Sequence, residues 1–235
     1  MSTSCRKNAK GLLTLGIGIG FTDFAVESSA EVRRDLQQFW PAVTPELLDE
    51  LAAVYPLSDF GASYIAGNNL FQSPAYTLIT TLAAALGSNI RQNNTVYWQN
   101  QAIWGDYAIH CPSRYVASAA FNQSVKVPVW KLRFNAGYYA HGATLPYILN
   151  DLSSPLVFNT TLATVMKDWY LSFVISQDPN LPLPTRELSD RPWFPQYGAE
   201  STVIHVNESS ISYIVDPDDS ARCDLFFANA RVFRN

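Results

Sequence analysis

Charge is scarce in this chain of 235 residues: Asp, Glu, Lys and Arg supply 15 % of it, the net is −4, and no basic block occurs. Nucleic acid, which is held by clustered cations, is therefore not expected as a partner. Long apolar runs are missing too. The longest near the N-terminus, Gly11 to Phe21, is 11 residues, too short to span a bilayer. Arg6, Lys7 and Lys10 before it give residues 1–25 the charge-then-apolar layout of a signal peptide, without a small-x-small cleavage site. Cysteine is sparse and odd in number. Cys5, Cys111 and Cys223 fit one bridge with a spare thiol, or three reduced thiols. No internal repeat and no Pro/Gly/Ser linker divides the chain, so residues 1–235 read as one domain.

Apolar side chains are plentiful, at 48 % with 13 % aromatic, enough for a core and against disorder. Four sequons, at Asn93, Asn122, Asn159 and Asn207, exceed the roughly one per couple of hundred residues that chance gives and point to a secretory origin. Gly16, Gly18 and Gly20 lack the spacing of a dinucleotide loop, and no Gly-Lys-Ser/Thr follows. No cofactor is expected.

The periodicities place the elements. Gly11 to Gly20 reads as a strand with a loose glycine end. Glu31 to Trp40 is helical, with Val32, Leu36 and Phe39 on one side. Thr44-Pro45-Glu46 opens a second helix through Leu47, Leu48, Leu51 and Val54. Ser73-Pro74 opens a third, ending at Gly87; Asp106 to Ala120 and Leu162 to Ile175 are further helices. Val127 to Phe134 alternates as a strand with Trp130, Leu132 and Phe134 on one face. Thr202 to Val206 and Ser210 to Val215 form a hairpin, and Ala221 to Phe233 a last helix. Residues 88–104 show no clear period.

The strand at 127–134 delivers a loop with His141 against Gly142. Open α/β sheets place their chemistry on such loops, outside the carboxyl ends of the strands. Glycine lets the backbone approach a ligand. His110, beside Cys111 in a helix, and His205, on a hairpin strand, read as structural or surface residues.

Five pieces in one order carry a resemblance: GDYAIHCPSR at Gly105, HGATLPYIL at His141, WYLSFVISQDPN at Trp169, RPWFPQYG at Arg191 and ARCDLFF at Ala221. Together they resemble the C-terminal part of a type-B carboxylesterase/lipase, cholinesterase-like and of fungal type, over 105–233. Residues 21–82 fit the family less closely, and 1–20 and 88–104 have no place in it. The resemblance implies an α/β fold, the C-terminal part of an α/β hydrolase: an incomplete mixed sheet with flanking helices. It implies that His141 is the catalytic base, that Cys111 and Cys223 are bridged with Cys5 free, and that the substrate is a small-molecule ester. A secreted protein is implied, with glycans at Asn122, Asn159 and Asn207; Asn93 falls in the unplaced stretch. No metal ligands are implied.

Departures from the family carry equal weight. Acyl transfer needs a serine nucleophile, a histidine base, a carboxylate orienting that base, and an oxyanion hole. The serine should stand in a Gly-x-Ser-x-Gly elbow. None occurs, the nearest being Gly61-Ala-Ser63-Tyr-Ile65 without its second glycine. The Gly-rich oxyanion loop is also absent, and Thr144 replaces a common acidic residue. LGIGIGFTDFAVESS stands where the triad acid belongs, with Asp23 and Glu27 nearby. The expectation is an ester-hydrolase chain carrying the histidine half, beginning just past its acid and inactive alone. A non-catalytic binding or adhesion protein on the same fold, and a piece complementing a serine-bearing chain, are the alternatives. Without its upstream partners the strand at 127–134 would leave a sheet edge through which the chain self-associates.

Overall fold

The computed structural model describes residues 12–16, 26–61, 95–122, 127–136, 143–154, 157, 159–183, 191–207 and 209–233. Contacts gather them into two compact units. One comprises 1–17, 112–136 and 142–217; the other comprises 18–111, 137–141 and 218–235.

The first unit holds the sheet. Its strands are β1 (Leu12–Gly16), β2 (Val129–Asn135), β3 (Thr202–Asn207) and β4 (Ile211–Val215), in the order β1-β2-β3-β4. β1, β2 and β3 run parallel, with Leu15 opposite Leu132 and Leu132 opposite Ile204; β4 returns antiparallel as the expected hairpin. The sheet is therefore mixed. The expected open edge on β2 is not there, because β1 and β3 flank it on both sides and β2 is interior. The short Val/Ile/Leu-rich strands suit that position, where both faces are covered.

Trp130, Leu132 and Phe134 are buried as the alternation predicts, but Lys131 between them is fully buried as well. Helix α6 (Thr160–Ser176) brings Phe173 edge-on to Trp130 at 6.0 Å. Its Trp169 donates to the Pro192 carbonyl at 3.1 Å and packs edge-on to Phe194 at 5.1 Å. Each large apolar side chain buried in this way contributes about 1.5–3 kcal/mol relative to exposure. Helix α4 (Cys111–Phe121) sets Ala117 into a cluster with Val129, Tyr197 and Val203.

Gln177 closes α6 in the left-handed region, φ 62°, with its N–H on the Phe173 carbonyl. The Asp178-Pro179-Asn180 turn follows. There Asn180 is used like a piece of strand: its Oδ1 accepts from Phe194 N at 2.7 Å and its Nδ2 donates to Phe194 O at 2.9 Å. This fixes the proline-rich 191–198 segment, which also gives Tyr197 N to the Val129 carbonyl at 2.7 Å.

The second unit is helical. Helix α1 (Ser29–Phe39) starts on a reciprocal cap: Ser28 Oγ accepts from Glu31 N, and Glu31 Oε2 accepts from Ser28 N. Helix α2 (Pro45–Val54) has Thr44 as its cap and Pro45 at its first turn, as the sequence indicates. A 3-10 turn follows at Leu57–Phe60. The stretch left without periodicity is largely helix α3 (Thr95–Gly105), buried on nearly every side. It runs into a π-helical turn, Asp106–His110, so the helix expected from Asp106 begins eleven residues earlier. Helix α7 (Ala221–Ala228) is shorter than expected, because Asn229 donates its side-chain amide back to the Leu225 carbonyl and ends it.

An aromatic cluster forms this unit's core. Trp40 stacks on Trp104 at 5.2 Å and meets Tyr107 and Phe233 edge-on at 4.7 and 4.8 Å. Such pairs contribute about 0.5–1.5 kcal/mol each beyond burial. Cys111 and Cys223 are joined in a disulfide across 112 residues of chain. Cys5, Asn93 and the helix expected from Ser73 to Gly87 lie outside the described residues. Among the described residues, no helix is long and apolar enough to cross a membrane.

Candidate functional site

β2 and β3 end together, and β1 is described to two residues short of them. Asn135 of β2 lies opposite Asn207 of β3, and Gly16 of β1 opposite Arg133. The chain therefore leaves β2 at the carboxyl end of a parallel set, where loops converge on ligands. Residues 137–142, with His141 and Gly142, lie outside the described residues, as do Asp23 and Ser63.

The two sides of that loop are firmly held. Ala136 before it and Ala143 and Thr144 after it are almost wholly buried. Helix α5 (Leu145–Leu149) then begins, and its Tyr147 packs edge-on against Phe134 of β2 at 5.2 Å. One ring stands just before the loop and the other just after it, so its ends are tied by aromatic packing. Lys167 of α6 donates to the Asn150 carbonyl and holds the far end of α5. Thr144 is buried at the start of α5 and makes no side-chain cap bond.

The other histidines have defined surroundings. His110, in the π-helical turn, has Nδ1 2.8 Å from Asp106 Oδ1, and Tyr55 Oη donates to Asp106 Oδ2 at 2.7 Å. The i,i+4 spacing of Asp106 and His110 was the available signal for this pair. It sits beside the Cys111 bridge and fastens α2's end to the π-helical turn. His205, on β3, lies opposite Arg133. Burial first, then the Arg133 cation, holds its pKa below the ordinary value. Glu27 is exposed, its backbone N–H bound to Glu31 Oε2.

No local pattern marks the buried cation. Lys131 Nζ donates to Asp216 Oδ2 at 2.6 Å, with neither side chain exposed. Tyr197 Oη donates to the same oxygen at 3.2 Å, and burial pushes the Tyr197 phenol upwards.

The sequon asparagines fall at element ends. Asn122 is exposed in the turn after α4. Asn159, half-buried, caps α6 through Oδ1, which accepts from Leu162 N at 2.9 Å. Asn207, half-buried, closes β3 and gives its N–H to the Ser210 carbonyl. Among the described residues, no group of three or more His, Cys, Asp or Glu could hold a metal ion.

The fold is α/β, a mixed sheet with flanking helices. The crystal structure of Aspergillus niger EstA aligns with 95 % of this chain and 40 % of its own, at a TM-score of 0.69 and 20 % identity. In sequence the chain is 26 % identical over 207 residues to Secreted lipase 4 of Gibberella zeae, covering 85 % of the chain. It spans 31 % of the length of that relative. No family model matches the chain.

Proposed function

We propose that this chain is the histidine-bearing part of a carboxylic-ester hydrolase, a lipase or type-B carboxylesterase, with His141 as its general base. The observation that carries the reading is the similarity to a secreted lipase across 85 % of the chain. The loop position adds support: His141 follows β2 by six residues, at the carboxyl end of parallel strands. In such a site the histidine takes the proton of a serine hydroxyl as that oxygen attacks the ester carbonyl, then returns it to the leaving alcohol. The substrate class is a small-molecule ester, and the setting is extracellular.

The sequence holds no Gly-x-Ser-x-Gly elbow, so nucleophile and oxyanion donors come from outside these 235 residues. By itself the chain then does not hydrolyse esters above background, since losing the nucleophile or base of a triad costs about six orders of magnitude. The same absence favours one further reading, in which a second polypeptide supplies the serine.

A short-chain nitrophenyl ester assay, with a fluorophosphonate probe for reactive serines, separates these readings. The lone chain is expected to give neither turnover nor labelling. Co-expressed with a serine-bearing partner it should give both, with turnover lost in His141→Ala. Turnover by the lone chain together with labelling of Ser63 would make it a complete small esterase. Activity in the pair that survives His141→Ala would remove His141 from the reaction.

A further inference from the structure

A cavity of about 310 Å³ opens in the helical unit between α1, α2, the 3-10 turn and α3. Leu36 of α1, Leu48 and Leu51 of α2 and Ile103 of α3 form its apolar walls, and all four are buried. Three polar residues join the lining, Ser29, Arg33 and Gln99. Nothing described above uses this space.

We propose that the cavity binds a short- to medium-chain alkanoate, its tail between Leu36, Leu48, Leu51 and Ile103 and its carboxylate on Arg33. Size sets the first limit. Ligand pockets run from about 300 to 1,000 Å³, so this one takes a single aliphatic chain and not a branched or multi-chain lipid. The walls set the second, because four aliphatic side chains offer a tail dispersion contacts and no hydrogen bonds. Charge sets the third. Arg33 is the charged residue of the lining, and a guanidinium carries five N–H donors in a fork that matches a carboxylate.

Arg33 is already engaged, with donors to spare. Nη1 donates to Asp49 Oδ1 at 2.6 Å and Nη2 to the Pro45 carbonyl at 3.3 Å. These bonds hold the fork in place. Asp49 repels an incoming anion, but its side chain is 73 % exposed, so water and salt screen that repulsion. Gln99 cannot compete for the headgroup with its amide nitrogen, which donates to the Tyr55 carbonyl at 2.5 Å. The proposal stands on the cavity and its cation, independently of the ester-hydrolase reading.

The test is isothermal titration calorimetry on the full chain with sodium octanoate, 1-octanol and sodium acetate. Octanoate is expected to bind saturably with one site, octanol more weakly, and acetate not measurably. Arg33→Gln should weaken octanoate about tenfold, the order expected for losing a charge-assisted contact, and leave octanol unchanged. Ala52, exposed on the lining, can be enlarged without disturbing the core. Ala52→Phe, with an unaltered melting curve, should weaken both eight-carbon ligands, and Ala52→Leu should do so by less. Absence of saturable octanoate binding would overturn the proposal. So would octanoate binding unchanged in Arg33→Gln, or binding indifferent to both enlargements.

Discussion

Lys131 and Asp216 form a salt bridge at 2.6 Å inside the sheet unit, with neither side chain touching solvent. The lysine comes from the interior strand β2 and the aspartate from the residue directly after β4. Asp216 is held from behind as well, its N–H on the Ser201 carbonyl at 2.8 Å. The pair therefore ties the hairpin's end to the strand that leads to His141. Removing one partner of a buried pair strands the other charge, which costs about 3–5 kcal/mol. Lys131→Met should lower the stability of the chain by that order in urea denaturation. Adding Asp216→Asn should recover a large part of it, since a neutral pair leaves no stranded charge. A loss below about 1 kcal/mol in the single variant would contradict this role.

The Cys111–Cys223 bridge closes a loop of 112 residues. On the chain-entropy account, a loop of this length stabilises the folded state by about 4–5 kcal/mol. Cys111→Ser with Cys223→Ser should therefore leave the helical unit markedly easier to unfold. Peptide mapping without reductant should recover the linked pair from protein made through a secretory route. Recovering both cysteines alkylated from such material would refute it.

His205 predicts a pH dependence. Burial and Arg133 hold its folded-state pKa below the ordinary value. In the window between the lowered folded value and the unfolded value of about 6.5, the unfolded chain binds the proton that the folded chain does not. The residue's contribution is thus present above about pH 6.5 and lost as pH falls from there. His205→Gln should flatten the decline of stability from neutral to mildly acidic pH. An unchanged slope would mean that other groups set it.

Asn159 allows a glycan to be separated from a helix cap. N-linked attachment uses Nδ2 and leaves Oδ1, the atom that accepts from Leu162 N. In a eukaryotic host, glycosidase treatment should shift the mass of the chain. Thr161→Ala removes the sequon and keeps the cap, so it should cost one glycan and little stability. Asn159→Ala removes both, with a further loss of about 1 kcal/mol. No mass shift in the parent chain would argue against glycans and a secretory route alike.

Local signals and the resemblance together made much of the sheet unit readable. Alternation placed Trp130, Leu132 and Phe134 on a buried face of β2, and Thr44-Pro45 marked the start of α2. The helix expected from Glu31 starts two residues earlier, because the Ser28-x-x-Glu31 cap, not used in that reading, sets the start of α1. What escaped was decided by tertiary surroundings. Helix α3 shows no amphipathic period because Tyr97, Gln99, Asn100 and Ile103 are all buried, so no side of it is polar for solvent. Lys131 reads as a solvent-facing residue until Asp216, 85 residues away, is brought against it. The parallel pairing of β1 with β2 joins segments more than a hundred residues apart, which no short-range pattern encodes. For His141, the five ordered pieces pointed to the segment after β2, and the structure describes the strand before it and the helix after it.

The single bridge has a bearing on wear as well as on folding. Between Cys111 and Cys223 runs the chain from Pro112 to Arg222, including β2, the His141 loop, α6 and the β3–β4 hairpin. A peptide bond cut anywhere in that span yields no free fragment, because the cysteines keep both pieces in one covalent molecule. A chain nicked in the proline-rich stretch would migrate intact on a non-reducing gel and fall into two bands only after reduction. A single cut there leaves His141 covalently joined to both α4 and α7 through the bridge.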